Sequence, residues 1–252
     1  MVHRIVQALA CVACASAASA FAMANSCTAQ SGAGITPVVE LYTSEGCSSC
    51  PPADRWVSGL KRQAGDSPMP VIEAFHVGYW DYIGWIDRFA SPEYTARQRQ
   101  IASWNQQRSI YTPQAVFNGQ DWRDWNSAGN TLPVSKEPAH TSINLKQLGA
   151  DQFEALVTAD TKAPASWSAY WTVTEHGHSS KVKAGENAGE LLQHDYVVRQ
   201  YTPAGDYRSD PATPQKLTLR SISATPGHAR QINLVIFDNR TGRTLQAVSA
   251  GC

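Results

Sequence analysis

The sequence has no excess of charge of either sign. Lysine plus arginine and aspartate plus glutamate number 21 each in 252 residues, so the formal net charge is zero. The chain has no basic stripe of the kind that binds nucleic acid and no basic amphipathic helix for a membrane surface. We therefore expect neither nucleic acid nor a membrane surface among its partners.

Several motifs of known chemistry are also missing. The sequence shows no Ser/His/Asp triad, no phosphate-binding loop and no dinucleotide fingerprint. It also has no internal repeat and no long low-complexity linker. We expect no bound cofactor, and the cysteines become the main source of functional information.

The first residues lack acidic side chains, and the first acid in the chain is Glu40. Arg4 gives a basic start, residues 5–18 are apolar and small, and two candidate small-x-small cleavage sites follow. This pattern predicts a secretory signal peptide over residues 1–24. The apolar stretch is too short for a membrane span. We therefore expect an exported protein, periplasmic or secreted.

One pair of cysteines has a spacing associated with chemistry. The β-rich run 38–43 leads into Cys47 and Cys50, and Pro51 follows. A C-x-x-C pair at a strand-to-helix junction is typical of thiol–disulfide oxidoreductases. The alternatives are a static structural disulfide and half of a zinc site. Zinc requires two more Cys or His ligands, and the sequence has no second C-x-x-C or paired Cys/His motif.

The remaining cysteines predict a second disulfide. Removal of the signal peptide would remove two early cysteines and leave four, an even number in a compartment where disulfides persist. If Cys47 pairs with Cys50, then Cys27 and Cys252 remain. We predict a structural disulfide between Cys27 and Cys252 that closes nearly the whole chain. Two free thiols are the alternative.

The pattern of predicted secondary structure changes near residue 138. Before it, the patterns predict strands over 36–43, 69–77 and 110–119 and helices over 53–64 and 92–105. After it, short alternating runs such as 167–173 predict antiparallel strands. We therefore predict an α/β domain over residues 35–137 and a β-rich, sandwich-like domain over residues 138–252.

The order of elements in the first half resembles the thioredoxin fold, in which a cis-proline lies across from the C-x-x-C. The resemblance implies that residues 35–137 form an α/β thioredoxin-like domain. It also implies that Pro113 is the cis-proline and that Thr112 pairs with an extended substrate chain. An ordinary trans-proline at the start of a strand is the alternative.

A closer resemblance is to the domain-of-unknown-function family 1223. These are exported bacterial proteins with a thioredoxin-like region, and no agreed activity comes with the family. The resemblance is carried by the segments 41–54, 75–85, 97–99, 111–114 and 185–189. Gly78 departs from the family pattern, which has an acid there, and this argues against a role for charge at that position.

The order of the two cysteines predicts their roles. We expect Cys47 to be the exposed nucleophile and Cys50 to resolve the mixed disulfide. Pro51 has no N–H and suits the first helical position, so the helix should begin with Cys50 as its cap. Cys47 would then lie one turn ahead of the helix dipole, and we expect only modest activation of its thiol.

Other candidate site residues lie further along the chain. His76, near the end of the second strand, is a candidate proton shuttle or metal ligand, and a satisfied core histidine is the alternative. Tyr79 and Trp80 are candidates for the wall of a substrate groove, and core packing is the alternative. Glu186 and Asn187 lie in a patterned loop that serves either binding or a turn.

These observations predict an exported thiol–disulfide oxidoreductase that acts on protein or small-molecule thiols and disulfides. A first alternative is a non-catalytic binding protein in which the Cys47–Cys50 bridge only holds its loop. A second is a metal-handling protein that uses Cys47, Cys50 and His76. Copper(I) is the expected ion in that case, because thiolates are soft ligands.

Overall fold

The structure of this protein is a computed structural model that describes residues 27–60, 69–129, 131–133, 135 and 137–252. The predicted signal peptide, residues 1–24, lies outside the described residues. Within these ranges no helix is both long enough and apolar enough to cross a membrane.

The largest element is an eight-stranded sheet built from both parts of the chain. Its strands, in spatial order, are β14 (Thr244–Gly251), β13 (Arg230–Phe237), β8 (Ser166–Glu175), β11 (Val197–Arg208), β3 (Val71–His76), β2 (Val38–Thr43), β4 (Gln114–Phe117) and β5 (Gln120–Asp121). Strand β3 is parallel to both β2 and β11, and the other neighbours are antiparallel. Strands β2 and β3 are buried at every residue, as expected for strands covered on both faces.

A second sheet of four antiparallel strands packs on the first. Its strands, in spatial order, are β1 (Thr28–Gln30), β6 (Thr141–Gly149), β7 (Gln152–Ala159) and β12 (Gln215–Arg220). Buried and exposed residues alternate along β12 and the first half of β6, so one face of this sheet is apolar. Its Ile143, Phe153 and Leu217 share a core with Trp171 and Ile232 of the larger sheet. The two sheets therefore form a sandwich.

Two further strands form a small sheet of their own. Strands β9 (His178–Lys181) and β10 (Leu191–His194) pair antiparallel, with His178 opposite His194. We call this unit, with its connecting loop 182–190, the β9–β10 hairpin. It lies against helix α1 (Pro51–Gly59), which follows the C-x-x-C directly.

The helices begin where the sequence predicts a start. Cys50 is the N-cap of α1 and Pro51 is its first residue, which confirms that prediction. Helix α2 (Pro92–Trp104) is capped by Ser91, whose hydroxyl accepts a hydrogen bond from the backbone N–H of Glu93. Two short 3₁₀ helices span Gly78–Ile83 and Trp125–Ser127.

The middle of the large sheet holds buried charged residues. Glu40 and Glu73 lie opposite each other on β2 and β3. Arg97 of α2 donates two hydrogen bonds to Glu40, of 2.7 and 2.8 Å, and its guanidinium carbon lies 3.9 Å from the centre of the Tyr170 ring. Glu73 accepts hydrogen bonds from the hydroxyls of Tyr170 and Thr172. We call these five residues the central cluster.

Burial sets the protonation of the central cluster. It raises the pKa of Glu73 to about 8, and the neighbouring negative charge of Glu40 adds to this effect. Glu73 is therefore a neutral acid in the folded protein at neutral pH. The single cation of the cluster, Arg97, is left to balance Glu40.

The predicted fold class is wrong. We expected an α/β thioredoxin-like domain followed by a separate β-rich domain. The structure is mostly β, and the strands of the first half belong to a sheet that continues into the second half. The reason is a long-range pairing: β11 adds to the edge of β3, so no separately layered α/β unit forms. The domain boundary between residues 137 and 138 stays a prediction.

Candidate functional site

Cys47 and Cys50 form a disulfide between the end of β2 and the start of α1, and their Cα atoms are 5.4 Å apart. Both cysteines have an exposed fraction of 0%, whereas Ser48 and Ser49 between them are exposed. The expectation of an exposed Cys47 is wrong. The reason is that two segments distant in sequence lie over the C-x-x-C loop.

Backbone hydrogen bonds fix the turn that carries the disulfide. The N–H of Cys50 donates to the carbonyl of Cys47 at 3.2 Å, and the N–H of Asp54 donates to the carbonyl of Cys50 at 3.1 Å. Pro51 supplies no N–H to the first turn of α1. Cys47 therefore lies just before the helix, and its sulfur is 3.3 Å from the hydroxyl oxygen of Ser49. This hydroxyl is the polar group placed to stabilise a developing thiolate at Cys47.

The 3₁₀ helix Gly78–Ile83 is the first segment over the loop. A Cβ atom added to Gly46 would lie 3.0 Å from the Cβ of Trp80, so the two backbones approach closely at this glycine. The indole N–H of Trp80 donates to the hydroxyl of Thr112 at 2.8 Å. The Thr112–Pro113 peptide bond is cis. Trp80 thus links the C-x-x-C loop to the Thr112–Pro113 segment.

Tyr79 has a different environment from Trp80. It is half-buried and packs against an apolar cluster that contains Tyr42, Phe75 and Tyr94. Burial raises the pKa of its phenol. Binding of a substrate by Tyr79, Trp80, Thr112 and Pro113 stays a prediction.

The loop of the β9–β10 hairpin is the second segment over the C-x-x-C. The side-chain N–H₂ of Asn187 donates to the carbonyls of Glu45 and Cys47, at 2.9 and 3.0 Å. The carboxylate of Glu186 accepts a hydrogen bond of 2.9 Å from the backbone N–H of Ser48. The sequence predicts either binding or a simple turn for this loop, and in the structure the loop contacts the C-x-x-C segment directly.

His76 is completely buried and bonded to an acid. Its Nδ1 lies 2.7 Å from the Oδ2 of Asp87, and the same oxygen accepts the backbone N–H of Glu45 at 2.9 Å. Burial alone would lower the pKa of His76, but the charge and hydrogen bond of Asp87 outweigh it and raise the pKa. For Asp87 burial alone would raise the pKa, and His76 reverses the shift and lowers it.

A second histidine meets the first from the hairpin. The rings of His76 and His194 are 4.8 Å apart and nearly perpendicular. The Nε2 of His194 lies 3.3 Å from Glu45, and its Nδ1 lies 3.9 Å from Asp54. Burial raises the pKa of Asp54. Burial also acts to raise the pKa of Glu45, but the nearby His194 imidazole reverses this and lowers it.

These five side chains, Glu45, Asp54, His76, Asp87 and His194, form what we call the inner cluster. Several of its atoms have no hydrogen-bond partner among the described residues: the Nε2 of His76, both ring nitrogens of His194 and one carboxylate oxygen of Glu45. Asp54 lies one helical turn after Cys50, on the same face of α1. The cluster thus places titratable groups next to the strand-to-helix turn that carries the disulfide, and a proton-shuttle role for His76 stays a prediction.

Cys27 and Cys252 form the second disulfide, with Cα atoms 5.7 Å apart across 225 residues. It joins the residue just before β1 in the smaller sheet to the residue just after β14 in the larger sheet. This bridge therefore ties the two layers of the sandwich together at one corner.

No group of three or more His, Cys, Asp or Glu side chains among the described residues is arranged to hold a metal ion.

Sequence reasoning found His76 and the cysteines but missed Glu45, Asp54, Asp87 and His194. Two of these, Glu45 and Asp54, fall within the segment that carries the family resemblance. A charged residue that flanks a C-x-x-C in a strand or helix of otherwise buried residues is the signal that points to them. Nothing local marks His194, because its partners come from another part of the chain.

The comparisons with known proteins place this chain in a family and find a similar fold in two solved structures. The model of a family described as "protein of unknown function (DUF1223)" matches residues 38–237. A crystal structure of a protein from Agrobacterium tumefaciens shares 23% identity, with 87% of this chain and 96% of that chain covered and a TM-score of 0.62. HBP35 of Porphyromonas gingivalis shares 11% identity, with 87% and 76% covered and a TM-score of 0.57. These identities show likeness of fold alone. None of the curated proteins matches this chain.

Proposed function

We propose thiol–disulfide exchange through Cys47 and Cys50 for this chain, which belongs to the DUF1223 family of proteins of unknown function. The observation that carries the proposal is the Cys47–Cys50 disulfide, placed immediately before the first residue of α1. A short ring at this position is the arrangement that makes a disulfide reactive in oxidoreductases.

The exchange balances as follows when the reduced protein acts on a substrate disulfide. The Cys47 thiolate attacks one substrate sulfur, the substrate bond breaks, and the other substrate sulfur leaves as a thiolate. The Cys50 thiolate then attacks the Cys47 sulfur and releases the second substrate thiolate. The substrate is reduced by two electrons and the Cys47–Cys50 pair is oxidised by two, with the reverse sequence for a substrate dithiol.

The surroundings of the disulfide support this role. The hydroxyl of Ser49 lies 3.3 Å from the sulfur of Cys47, within reach of a thiolate that forms there. The inner cluster holds titratable groups one helical turn from Cys50. Protein or small-molecule thiols and disulfides are the proposed partners.

We also propose that the protein works outside the cytoplasm. The predicted signal peptide over residues 1–24 and the presence of two disulfides support this location, because disulfides persist in oxidising compartments.

A second candidate function is a non-catalytic binding protein whose Cys47–Cys50 bridge only shapes its loop. The observation that favours it is the complete burial of both cysteines, since inert structural disulfides are shielded from thiols. The two functions predict different reduction potentials for the Cys47–Cys50 disulfide.

The deciding experiment is a measurement of that potential by thiol trapping in glutathione buffers, followed by exchange assays. We expect a value above about −300 mV, the level below which structural disulfides resist glutathione. We expect Cys47→Ser to abolish exchange with insulin or glutathione disulfide, and Cys50→Ser to accumulate mixed disulfides. A potential below that level, together with equal activity of the two variants, would support the binding protein.

The second disulfide supplies the matched control. The double variant Cys27→Ser/Cys252→Ser should lose about 2–5 kcal/mol of stability, the usual cost of removing a native disulfide. It should retain the exchange activity of the intact protein. Loss of exchange in this variant would show that the assay reports global stability rather than chemistry at Cys47.

A further inference from the structure

The β9–β10 hairpin touches the redox motif from outside the sheet to which that motif is attached. The motif connects β2 of the eight-stranded sheet to α1, whereas β9 and β10 pair only with each other in the described structure. Its loop reaches the motif through three hydrogen bonds, two donated by Asn187 and one accepted by Glu186. Asn187 is itself buried, with 6% exposed.

This contact bears on reactivity because thiol–disulfide exchange needs direct access to a sulfur atom. An attacking thiolate must approach along the line of the bond that breaks. Cys47 and Cys50 have an exposed fraction of 0%, so no external thiol reaches either sulfur in the conformation described. The exposed residues between them, Ser48 and Ser49, carry no sulfur.

We propose that the β9–β10 hairpin is a gate: it closes over the Cys47–Cys50 disulfide, and its loop must leave the C-x-x-C before exchange takes place. Asn187 and Glu186 are the positioning residues that hold it closed. This inference rests on the proposed function, and it adds a control of access that the chemistry of the two cysteines does not require.

The local structure of the loop fits a unit that moves as one piece. Hydrogen bonds between Val182 and both Gly189 and Glu190 close the loop on itself, independently of the C-x-x-C. Gly185 and Gly189 have φ values of +77° and +95° and flank the two contacting residues. Release of the three bonds to the motif therefore leaves the internal bonds of the loop intact.

The base of the hairpin supplies a further contact to the same strand-to-helix turn. His194, the last residue of β10, lies 3.3 Å from the side chain of Glu45, and the backbone carbonyl of Glu45 is also an acceptor for Asn187. Glu45 comes two residues before Cys47. The loop of the gate and its strand β10 thus both contact the segment that carries the disulfide.

The test compares the rates at which dithiothreitol reduces the two disulfides of the intact protein. Asn187→Ala removes two of the three bonds that close the gate. We expect reduction of Cys47–Cys50 to become about tenfold faster, while reduction of Cys27–Cys252 and the urea midpoint change little. Glu186→Gln, which weakens the remaining bond, should give a smaller increase. Glu190→Gln, an exposed carboxylate of the same loop without a contact to the motif, is the control.

The outcomes separate the gate from the function. Unchanged reduction of Cys47–Cys50 in both Asn187→Ala and Glu186→Gln would overturn the gate, even if the protein exchanges disulfides with insulin. Faster reduction in these variants, in a protein that never exchanges with insulin, would support the gate and refute the oxidoreductase. If Asn187→Ala does not fold, Glu186→Gln decides alone, together with hydrogen exchange at the N–H of Ser48, which should lose protection.

Discussion

The protein buries two groups of charged side chains, and the two groups are paired to different degrees. In the central cluster every carboxylate oxygen of Glu40 and Glu73 accepts a hydrogen bond, and one atom, the Nη1 of Arg97, lacks a partner within the described ranges. In the inner cluster Glu45, His76 and His194 keep polar atoms without a hydrogen-bond partner among the described residues. Buried polar groups are normally satisfied, so the four unpartnered atoms of the inner cluster require an explanation.

Position suggests that explanation. The central cluster joins α2 to the middle of the large sheet through hydrogen bonds among buried side chains. The inner cluster lies next to the strand-to-helix turn that carries Cys47 and Cys50, and it receives His194 from the β9–β10 hairpin. The nearly complete pairing of the central cluster fits a structural role, and a role of the inner cluster in chemistry stays a prediction.

The largest expected effect is the loss of Arg97 from the central cluster. Arg97→Met leaves Glu40 buried beside Glu73 without a cation, and breaking a buried ion pair in this way costs about 3–5 kcal/mol. Urea unfolding measures the loss. Arg99→Met, on the exposed face of the same helix, should change stability by less than about 0.5 kcal/mol. The reduction potential of Cys47–Cys50 should stay constant in both, and a shift in Arg97→Met would remove the distinction between the clusters.

A smaller stability loss, combined with a redox effect, is expected in the inner cluster. Asp87→Asn removes the charged acceptor of His76 and of the Glu45 N–H and should cost about 2 kcal/mol. Because Glu45 lies two residues before Cys47, the potential of the disulfide should shift as well. Thiol trapping and urea unfolding check the two parts separately.

A second His–Asp contact in the chain provides a control for Asp87→Asn. His140 and Asp160 make a similar contact of 2.9 Å, but both side chains are partly exposed. Asp160→Asn should therefore cost no more than about 0.5 kcal/mol and leave the potential unchanged. An equal effect of the two substitutions would mean that burial behind the disulfide has no special consequence.

A further expected effect is a change in the pH dependence of stability. The pKa of Glu73 is raised from 4.5 to about 8, so the folded state keeps a proton that the unfolded state loses. Stability from this group is present below pH 4.5 and falls as the pH rises towards 8. Glu73→Gln should flatten the curve in this window, by at most about 1.4 kcal/mol per pH unit. Unfolding at several pH values measures it, and the same slope in Glu73→Gln as in the parent protein would contradict the assignment.

The inner cluster should respond to pH in the opposite direction at low pH. The pKa of Asp87 is lowered, so its contribution is present above about pH 4 and is lost on acidification. The pKa of His76 is raised, so its contribution is lost as the pH rises through that value. The His76–Asp87 pair is therefore most stabilising between the two pKa values. Asp87→Asn should remove the loss of stability at both the low-pH end and the high-pH end of this range.

Much of the secondary structure could be predicted from local sequence patterns. The predicted strands around residues 38–43 and 71–76 are present, and so is the helix start at Cys50 with Pro51 in its first turn. These features depend on near neighbours: β-branched content, alternation and the missing N–H of proline. The pairing of Cys27 with Cys252 also appears in the structure, because few cysteines were available to pair.

Long-range contacts could not be predicted from the sequence patterns. The pairing of β11 with β3 merges the two halves into one sheet, and no periodicity indicates which edge a strand joins. The burial of Cys47 depends on Asn187 and Trp80, which lie in separate segments of the chain. The ring contact between His76 and His194 has the same origin. Each of these is set by tertiary packing, and each concerns the candidate site more than the framework.

The Cys27–Cys252 disulfide has a mechanical consequence. A pulling force applied at Cys27 and Cys252 passes through the S–S bond and bypasses the residues between them. The sandwich would therefore bear no load until the bridge is reduced. A single proteolytic cut inside this loop would likewise leave both pieces covalently joined. The bridge therefore determines how the protein responds to tension and to cleavage. This response does not depend on the stability of the core.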